Sequence, residues 1–181
     1  MFWVLMGTGA FGLLVLFEYQ KCRSIQHGTA GKNFWFLIGT LLLLLACVVL
    51  GVKSTRSQGV QFLAGIFILL MGLIFYAVVL SVMPDVGEYT QDSKKLPVCR
   101  KGIYGWMRHP GVWSFLICGI GYGMMFPETM IPAMWFSFLN LIYTWVQDRY
   151  FFPVYLEGYG QYCKEVPFLF PRKPESGCSR K

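Results

Sequence analysis

Charged residues are scarce in this chain. Of its 181 residues only 14% are Asp, Glu, Lys or Arg, whereas 55% are hydrophobic. Since a soluble domain averages about 25% charged residues, this balance indicates a membrane protein, and the length allows one compact bundle. The net charge of +7 lies in short loops beside apolar runs. It therefore favours membrane lipids as partners and does not favour nucleic acid.

Paired cysteines are also missing. The six cysteines include no C-x-x-C pair, so neither a disulfide framework nor a metal site is expected. Residues 7–12 match G-x-G-x-x-G formally. The match lacks the preceding strand and the following acid that a dinucleotide site needs. We interpret its glycines, and Gly119, Gly121 and Gly123, as small residues that let helices approach closely.

Five uncharged runs predict membrane-spanning helices, since a span needs about 20 apolar residues. The runs are 1–17, 33–52, 57–84, 109–127 and 129–147. The expected fold is therefore all-α. It is an integral-membrane helical bundle with about five transmembrane helices, a cytoplasmic loop over residues 85–107 and a C-terminal amphipathic helix.

Lys and Arg are distributed unevenly among the connections of this five-span arrangement. Only Lys53 and Arg56 follow spans two and four, and all the others follow spans one, three and five. Cytoplasmic connections of membrane proteins are enriched in Lys and Arg. The pattern therefore predicts an outside N-terminus, with the long loop and the C-terminus in the cytoplasm.

The stretch from Gly102 to Pro110, G-I-Y-G-W-M-R-H-P, leads into the fourth run. Proline suits the first turn of a helix, so Pro110 predicts a helix start with Arg108 and His109 at its N-terminal lip. The exposed N–H groups and the dipole of such a lip favour a bound anion. Tyr104 and Trp106 suit either an interfacial aromatic belt or ligand contact.

The fourth and fifth runs predict a helical hairpin. His109 to Pro127 and Met130 to Asp148 are each separated by 18 positions, or about 27 Å of helix. His109 and Asp148 should therefore lie at the same depth on the same side of the membrane.

Beyond Asp148 the sequence predicts an amphipathic helix, because Tyr155, Tyr159 and Tyr162 recur at helical spacing. Pro153 should kink this helix. The tyrosines suit either interfacial anchoring or ligand contact.

Two blocks of the sequence resemble one family. Residues 102–110 are similar to the G-x-Y-x-x-x-R-H-P signature of the isoprenylcysteine carboxyl methyltransferase and phospholipid methyltransferase superfamily. Residues 147–150, followed by tyrosines and V-P-F-L-F-P at 166–171, resemble its second block, which begins with paired acids. The resemblance covers about residues 85–172. Asp148 matches the second acid, and Gln147 stands in place of the first.

The resemblance implies an integral-membrane methyltransferase that uses S-adenosylmethionine on a lipophilic acceptor: an isoprenylcysteine carboxyl-like group, a phospholipid amine or a thiol. Residues 1–84 would form the N-terminal transmembrane part and residues 85–181 the cofactor-binding, catalytic part. The expected catalytic residues are His109, Asp148 and Arg108. The expected cofactor-binding residues are Tyr104, Trp106, Arg108, His109, Pro110, Asp148 and Tyr159.

Each group in this expected site has a chemical reason. Arg108 and His109 would hold the carboxylate of the cofactor and Asp148 its amino group, while aromatic rings would face the adenine or the sulfonium. His109 or Asp148 would take the proton that an amine or thiol acceptor must lose.

Two alternatives remain open. One is a membrane reductase of the sterol-reductase-like type, which would use a nicotinamide cofactor. The other is a catalytically inactive membrane scaffold, in which Gln147 marks lost activity and the Arg, His and Asp side chains form a satisfied polar cluster.

Overall fold

The computed structural model describes residues 1–27, 34–82 and 96–172, which are helical apart from turns and one very short strand pair. The five longer helices are α1 (Phe2–His27), α2 (Phe34–Lys53), α3 (Gly59–Val82), α4 (Pro110–Met125) and α5 (Met130–Val146). The predicted all-α fold is confirmed. Residues 83–95, which include the first part of the predicted cytoplasmic loop, and the tail after residue 172 lie outside the described residues.

Shorter elements complete the described chain. A 3-10 turn at Gly102–Gly105 precedes α4, and another at Pro127–Thr129 joins α4 to α5. After α5 come a π-helical turn at Gln147–Phe151, α6 (Phe152–Tyr155) and α7 (Tyr159–Glu165). Strand β1 (Leu96–Pro97) pairs in parallel with β2 (Leu156–Glu157).

Four segments are long and apolar enough to cross a membrane, namely Phe2–Ser24, Phe34–Lys53, Gly59–Val82 and Pro127–Val154. They indicate a multi-pass membrane protein. Helix α4 has only 16 residues, or about 24 Å, and is shorter than the roughly 30 Å hydrocarbon core. The predicted count of five spans is therefore not confirmed.

The first helix is longer than predicted. It continues past Phe17 to His27, although Glu18 and Lys21 interrupt the apolar run. Glu18 is only 5% exposed and accepts hydrogen bonds from α5 and the π turn. Those bonds offset part of the cost of burying its carboxylate, so the charge does not end the helix.

The helices pack through close contacts at small residues. Helix α3 lies against α4, α1 lies against α2, and α5 contacts both α4 and α1. A Cβ added at Gly121 would lie 2.5 Å from the backbone nitrogen of Leu69 on α3, and one at Gly7 would lie 2.4 Å from the Phe136 ring. Gly119 and Gly123 also meet α5 closely, whereas Gly9 and Gly12 meet nothing within 4 Å. The close-packing interpretation is thus confirmed for four of these glycines and wrong for two.

The predicted continuous helix after Asp148 is wrong. The chain is extended at Leu156–Glu157, where it pairs with β1, and turns at Gly158 with φ +73°. Glycine adopts this left-handed conformation without a steric penalty. Pro153 lies in the first turn of α6, where its missing N–H is tolerated, and does not kink a longer helix. Tyr155 therefore belongs to a different helix from Tyr159 and Tyr162.

We predict that Gly121→Ala destabilises the bundle by about 1 to 3 kcal/mol, because the added methyl group overpacks the α3–α4 contact. Gly12→Ala is the matched control. It lies in open space on α1 and should be neutral or stabilising by up to about 1 kcal/mol, since alanine is the better helix former. Unfolding in mixed micelles measures both changes. Equal stability of the two variants would contradict the close contact.

Candidate functional site

The carboxylate of Asp148 is the centre of a polar cluster at the start of α4. Its Oδ1 lies 2.7 Å from Nε2 of His109 and accepts a 2.6 Å hydrogen bond from the Tyr159 hydroxyl. Nη1 of Arg108 lies 3.0 Å from each carboxylate oxygen. The predicted meeting of His109 and Asp148 at one depth is therefore confirmed.

The start of α4 fixes the positions of Arg108 and His109. Pro110 is the first residue of the helix and is fully buried. His109 is the N-cap residue but makes no capping bond, and its side chain contacts Asp148 instead. The backbone N–H of Arg108 donates to the carbonyl of Pro167 at 3.0 Å. The first sequence block is thus joined to the end of the second.

A π-helical turn carries Asp148. Residues Gln147–Phe151 form i→i+5 bonds where α5 would otherwise continue. A π turn inserts an extra residue into the helix and changes the direction of the side chains that follow, which is why such turns recur at functional sites.

Helix α7 brings the second block to the cluster. Its residues Tyr159 and Tyr162 are each 3% exposed. Tyr162 donates a 2.6 Å hydrogen bond to the carbonyl of Tyr104 in the first block. Burial and the neighbouring Asp148 raise the pKa of Tyr159 well above its usual value. Its hydroxyl is therefore a proton donor to Asp148 at every physiological pH.

Aromatic side chains surround the two basic residues. The His109 ring stacks on Phe152 at 5.6 Å between centroids and lies 4.9 Å from Phe168, and the Arg108 guanidinium lies 5.7 Å from the Phe168 ring. These contacts cover much of the cluster, and the side chains of Arg108 and Asp148 are only 11% and 14% exposed.

The protonation state of His109 follows from this environment. Burial lowers the pKa of His109 and Arg108 acts in the same direction, while the bond to Asp148 opposes them. The imidazole is therefore neutral at neutral pH. When Nε2 donates to Asp148, the lone pair of the neutral ring is on Nδ1.

The cluster has donors that suit an anionic ligand. Nε of Arg108 is buried and has no hydrogen-bond partner among the described residues. A buried donor without a partner costs about 1 to 3 kcal/mol, so a carboxylate that reached it would be stabilised. The first turn of α4, whose dipole is positive at this end, directly follows Arg108 and His109. These residues fit the amino acid end of the expected cofactor.

Two of the predicted cofactor-binding residues lie at the edge of the cluster. Tyr104 is buried, and its carbonyl holds Tyr162. Trp106 is 54% exposed, and its carbonyl accepts a bond from the backbone of Arg172. The exposed ring of Trp106 suits an interfacial belt.

The sequence interpretation missed several contacts. Cys163 contacts Nη1 of Arg108, and it lies four residues after Tyr159 on the same face of α7, which the helical period could have indicated. Phe152 and Phe168 were not singled out. The hydrogen bond between Glu18 and Gln147 was not predicted either.

Comparison of the chain with protein-family models, with curated proteins and with solved structures finds no match. What the cluster can do is therefore inferred from its geometry and from the two sequence blocks. The geometry allows three tasks: binding an anion at Arg108, binding a cation at Asp148, and accepting a proton at His109.

We predict that Asp148→Ala costs about 3 kcal/mol of stability, since the Arg108 charge is then buried without its partner. The Arg108 side chain is 11% exposed. The double variant Arg108→Met, Asp148→Leu should lose much less. Arg149→Met, at the exposed neighbouring position, should stay within about 0.5 kcal/mol of the parent. Denaturant unfolding in micelles measures all of these, and a small effect of Asp148→Ala alone would contradict the buried pair.

We predict that His109 makes the protein less stable in mild acid. Its folded pKa is below the usual 6.5, so the unfolded chain binds the proton more tightly. The contribution of His109 to stability is present above pH 6.5 and is lost as the pH falls through the folded pKa. The difference in melting temperature between the parent and His109→Gln, followed against pH, isolates this effect. A parent that gains stability relative to the variant below pH 6.5 would contradict it.

Proposed function

We propose that the protein is an integral-membrane methyltransferase that uses S-adenosylmethionine on a lipophilic acceptor. One observation carries the proposal. Arg108 and His109 of the first block and Tyr159 of the second all contact Asp148, across sequence separations of up to 40 residues. The two blocks that resemble the methyltransferase superfamily are thus the parts of the chain that meet.

Different side chains of the site hold different parts of the cofactor. Arg108 and the first N–H groups of α4 bind its carboxylate, and Asp148 binds its ammonium group. The rings of Phe168 and Tyr159 present aromatic faces to positive charge. When bound, the cofactor supplies an electrophilic methyl group on a sulfonium.

His109 has a role that depends on the acceptor. A carboxylate acceptor needs no base, whereas an amine or a thiol must lose a proton. The neutral imidazole can accept that proton at Nδ1, and Asp148 and Tyr159 hold the ring in place through Nε2 and the shared carboxylate. The aromatic contacts limit the access of water, which favours transfer to the aligned acceptor.

An apolar cavity supports a lipophilic acceptor. It measures about 250 Å³ and lies among α2, α3, α4 and α5. Phe115 on its wall is six residues beyond His109 on α4, or about 9 Å of helix. Its lining is almost entirely apolar and suits a hydrocarbon chain.

The charge pattern supports a cytoplasmic site. Lys53 and Arg56 flank the opposite end of the bundle, where Thr55 donates a hydrogen bond to Glu128. Arg108, which pairs with Asp148, and Arg100, which pairs with Glu165 on α7, lie at the end that holds Asp148. By the positive-inside rule that end faces the cytoplasm.

A non-catalytic scaffold is the second candidate function. The observation in its favour is that Arg108 already neutralises Asp148 within the chain. A closed ion pair of this kind also occurs as a purely structural cluster. Ligand binding discriminates between the two.

We predict saturable binding of S-adenosylmethionine by the purified protein in detergent, measured by calorimetry. Asp148→Asn and His109→Gln should each raise the Kd by about tenfold or more, since a hydrogen bond to a charged group contributes about 1.5 to 3 kcal/mol. Arg149→Gln is the control and should leave the Kd unchanged.

The same titration with a reduced nicotinamide cofactor tests the reductase alternative. Undiminished binding in both site variants would remove this site assignment. Binding of the nicotinamide cofactor instead would favour a reductase, and absence of binding by folded protein would favour the scaffold.

A further inference from the structure

A second polar cluster lies between α1 and α5, beside the first. Oε1 of Glu18 accepts a 2.7 Å hydrogen bond from Nε2 of Gln147 and a 3.1 Å bond from the Tyr143 hydroxyl. Nε2 of Gln147 also lies 3.0 Å from the Tyr143 hydroxyl. The three side chains form a closed triangle in the interior of the bundle.

A carboxylate at this place is costly. Glu18 is 5% exposed and lies in a segment long and apolar enough to span a membrane. Ionisable groups within such segments are costly, most of all at the centre of the span, and they mark functional positions. The bonds to Gln147 and Tyr143 offset part of that cost, but an apolar residue at position 18 would avoid it altogether.

The triangle acts on the turn that carries Asp148. Gln147 is the first residue of the π turn and immediately precedes Asp148. One helical turn beyond Glu18 on α1, the Cys22 thiol lies 3.8 Å from the carbonyl of Phe151, the last residue of the same turn. Helix α1 therefore contacts both ends of the π turn.

We propose that Glu18 is a positioning residue for Asp148. Its carboxylate holds Gln147, and through Gln147 it keeps the π turn in the register that aims Asp148 at Arg108 and His109. This inference rests on the proposed function in one respect, because one of the two measurements that test it is the affinity for the cofactor. Glu18 itself does not touch the reacting groups.

The main test exchanges the two side chains. Gln147→Glu places two carboxylates against each other and should displace the turn, whereas the double variant Glu18→Gln, Gln147→Glu restores one donor facing one acceptor. We expect Gln147→Glu to raise the Kd for S-adenosylmethionine about tenfold, and the exchange to return it to within about threefold of the parent, as for directly coupled residues. Glu157→Gln removes an exposed carboxylate outside the triangle and is the control.

A readout without the cofactor separates this proposal from the proposed function. The coupling between Arg108 and Asp148, measured by a double-mutant cycle on unfolding, should lose most of its size in the Gln147→Glu protein and recover in the exchanged protein. Gln147→Met removes the donor without adding charge, and it answers the same question should Gln147→Glu not fold.

The outcomes divide clearly. Loss and recovery of the coupling without any cofactor binding would support the positioning role and reject the methyltransferase. The variants would overturn the proposal if they melted at a lower temperature but kept the parent's Arg108–Asp148 coupling, and kept the parent's Kd if the cofactor binds. Glu18 would then contribute to stability alone.

Discussion

The candidate site depends on how the charge of the largely buried Asp148 carboxylate is balanced. A single carboxylate accepts hydrogen bonds from a histidine, an arginine and a tyrosine that come from α4's entry and from α7. Each donor would be costly to bury alone. The start of α4, the π turn and the position of α7 are all constrained by the need to bring these donors to the same two oxygens.

Simple helix geometry predicted the centre of this site. A helix rises by a fixed amount per residue, so equal numbers of residues on the two arms of a hairpin place His109 and Asp148 together. Pro110 similarly predicted the start of α4. What the periodicity could not predict was the path after Asp148. The break at Gly158 depends on the pairing of Leu96 with Leu156, two residues far apart in sequence.

Hydropathy alone misjudged the first helix for a related reason. A hydropathy window includes the unfavourable burial of the Glu18 carboxylate. It does not include two of its hydrogen-bond partners, which lie 125 and 129 residues away. Gln147 was interpreted as the loss of an acid from the second block. In the structure this amide donates to an acid from α1, so the position retains a carboxylate as its neighbour although its own side chain is neutral.

The long sequence separation between Glu18 and Gln147 has a consequence for biogenesis. The first helix is synthesised before Tyr143 and Gln147, which donate hydrogen bonds to its Glu18 carboxylate. Until those residues are translated, α1 carries Glu18 without these two hydrogen bonds, and an ionisable group within an apolar helix opposes stable insertion. We therefore expect the ribosome-bound chain to retain α1 near the insertion machinery, or near the membrane surface, until the last hairpin has been translated.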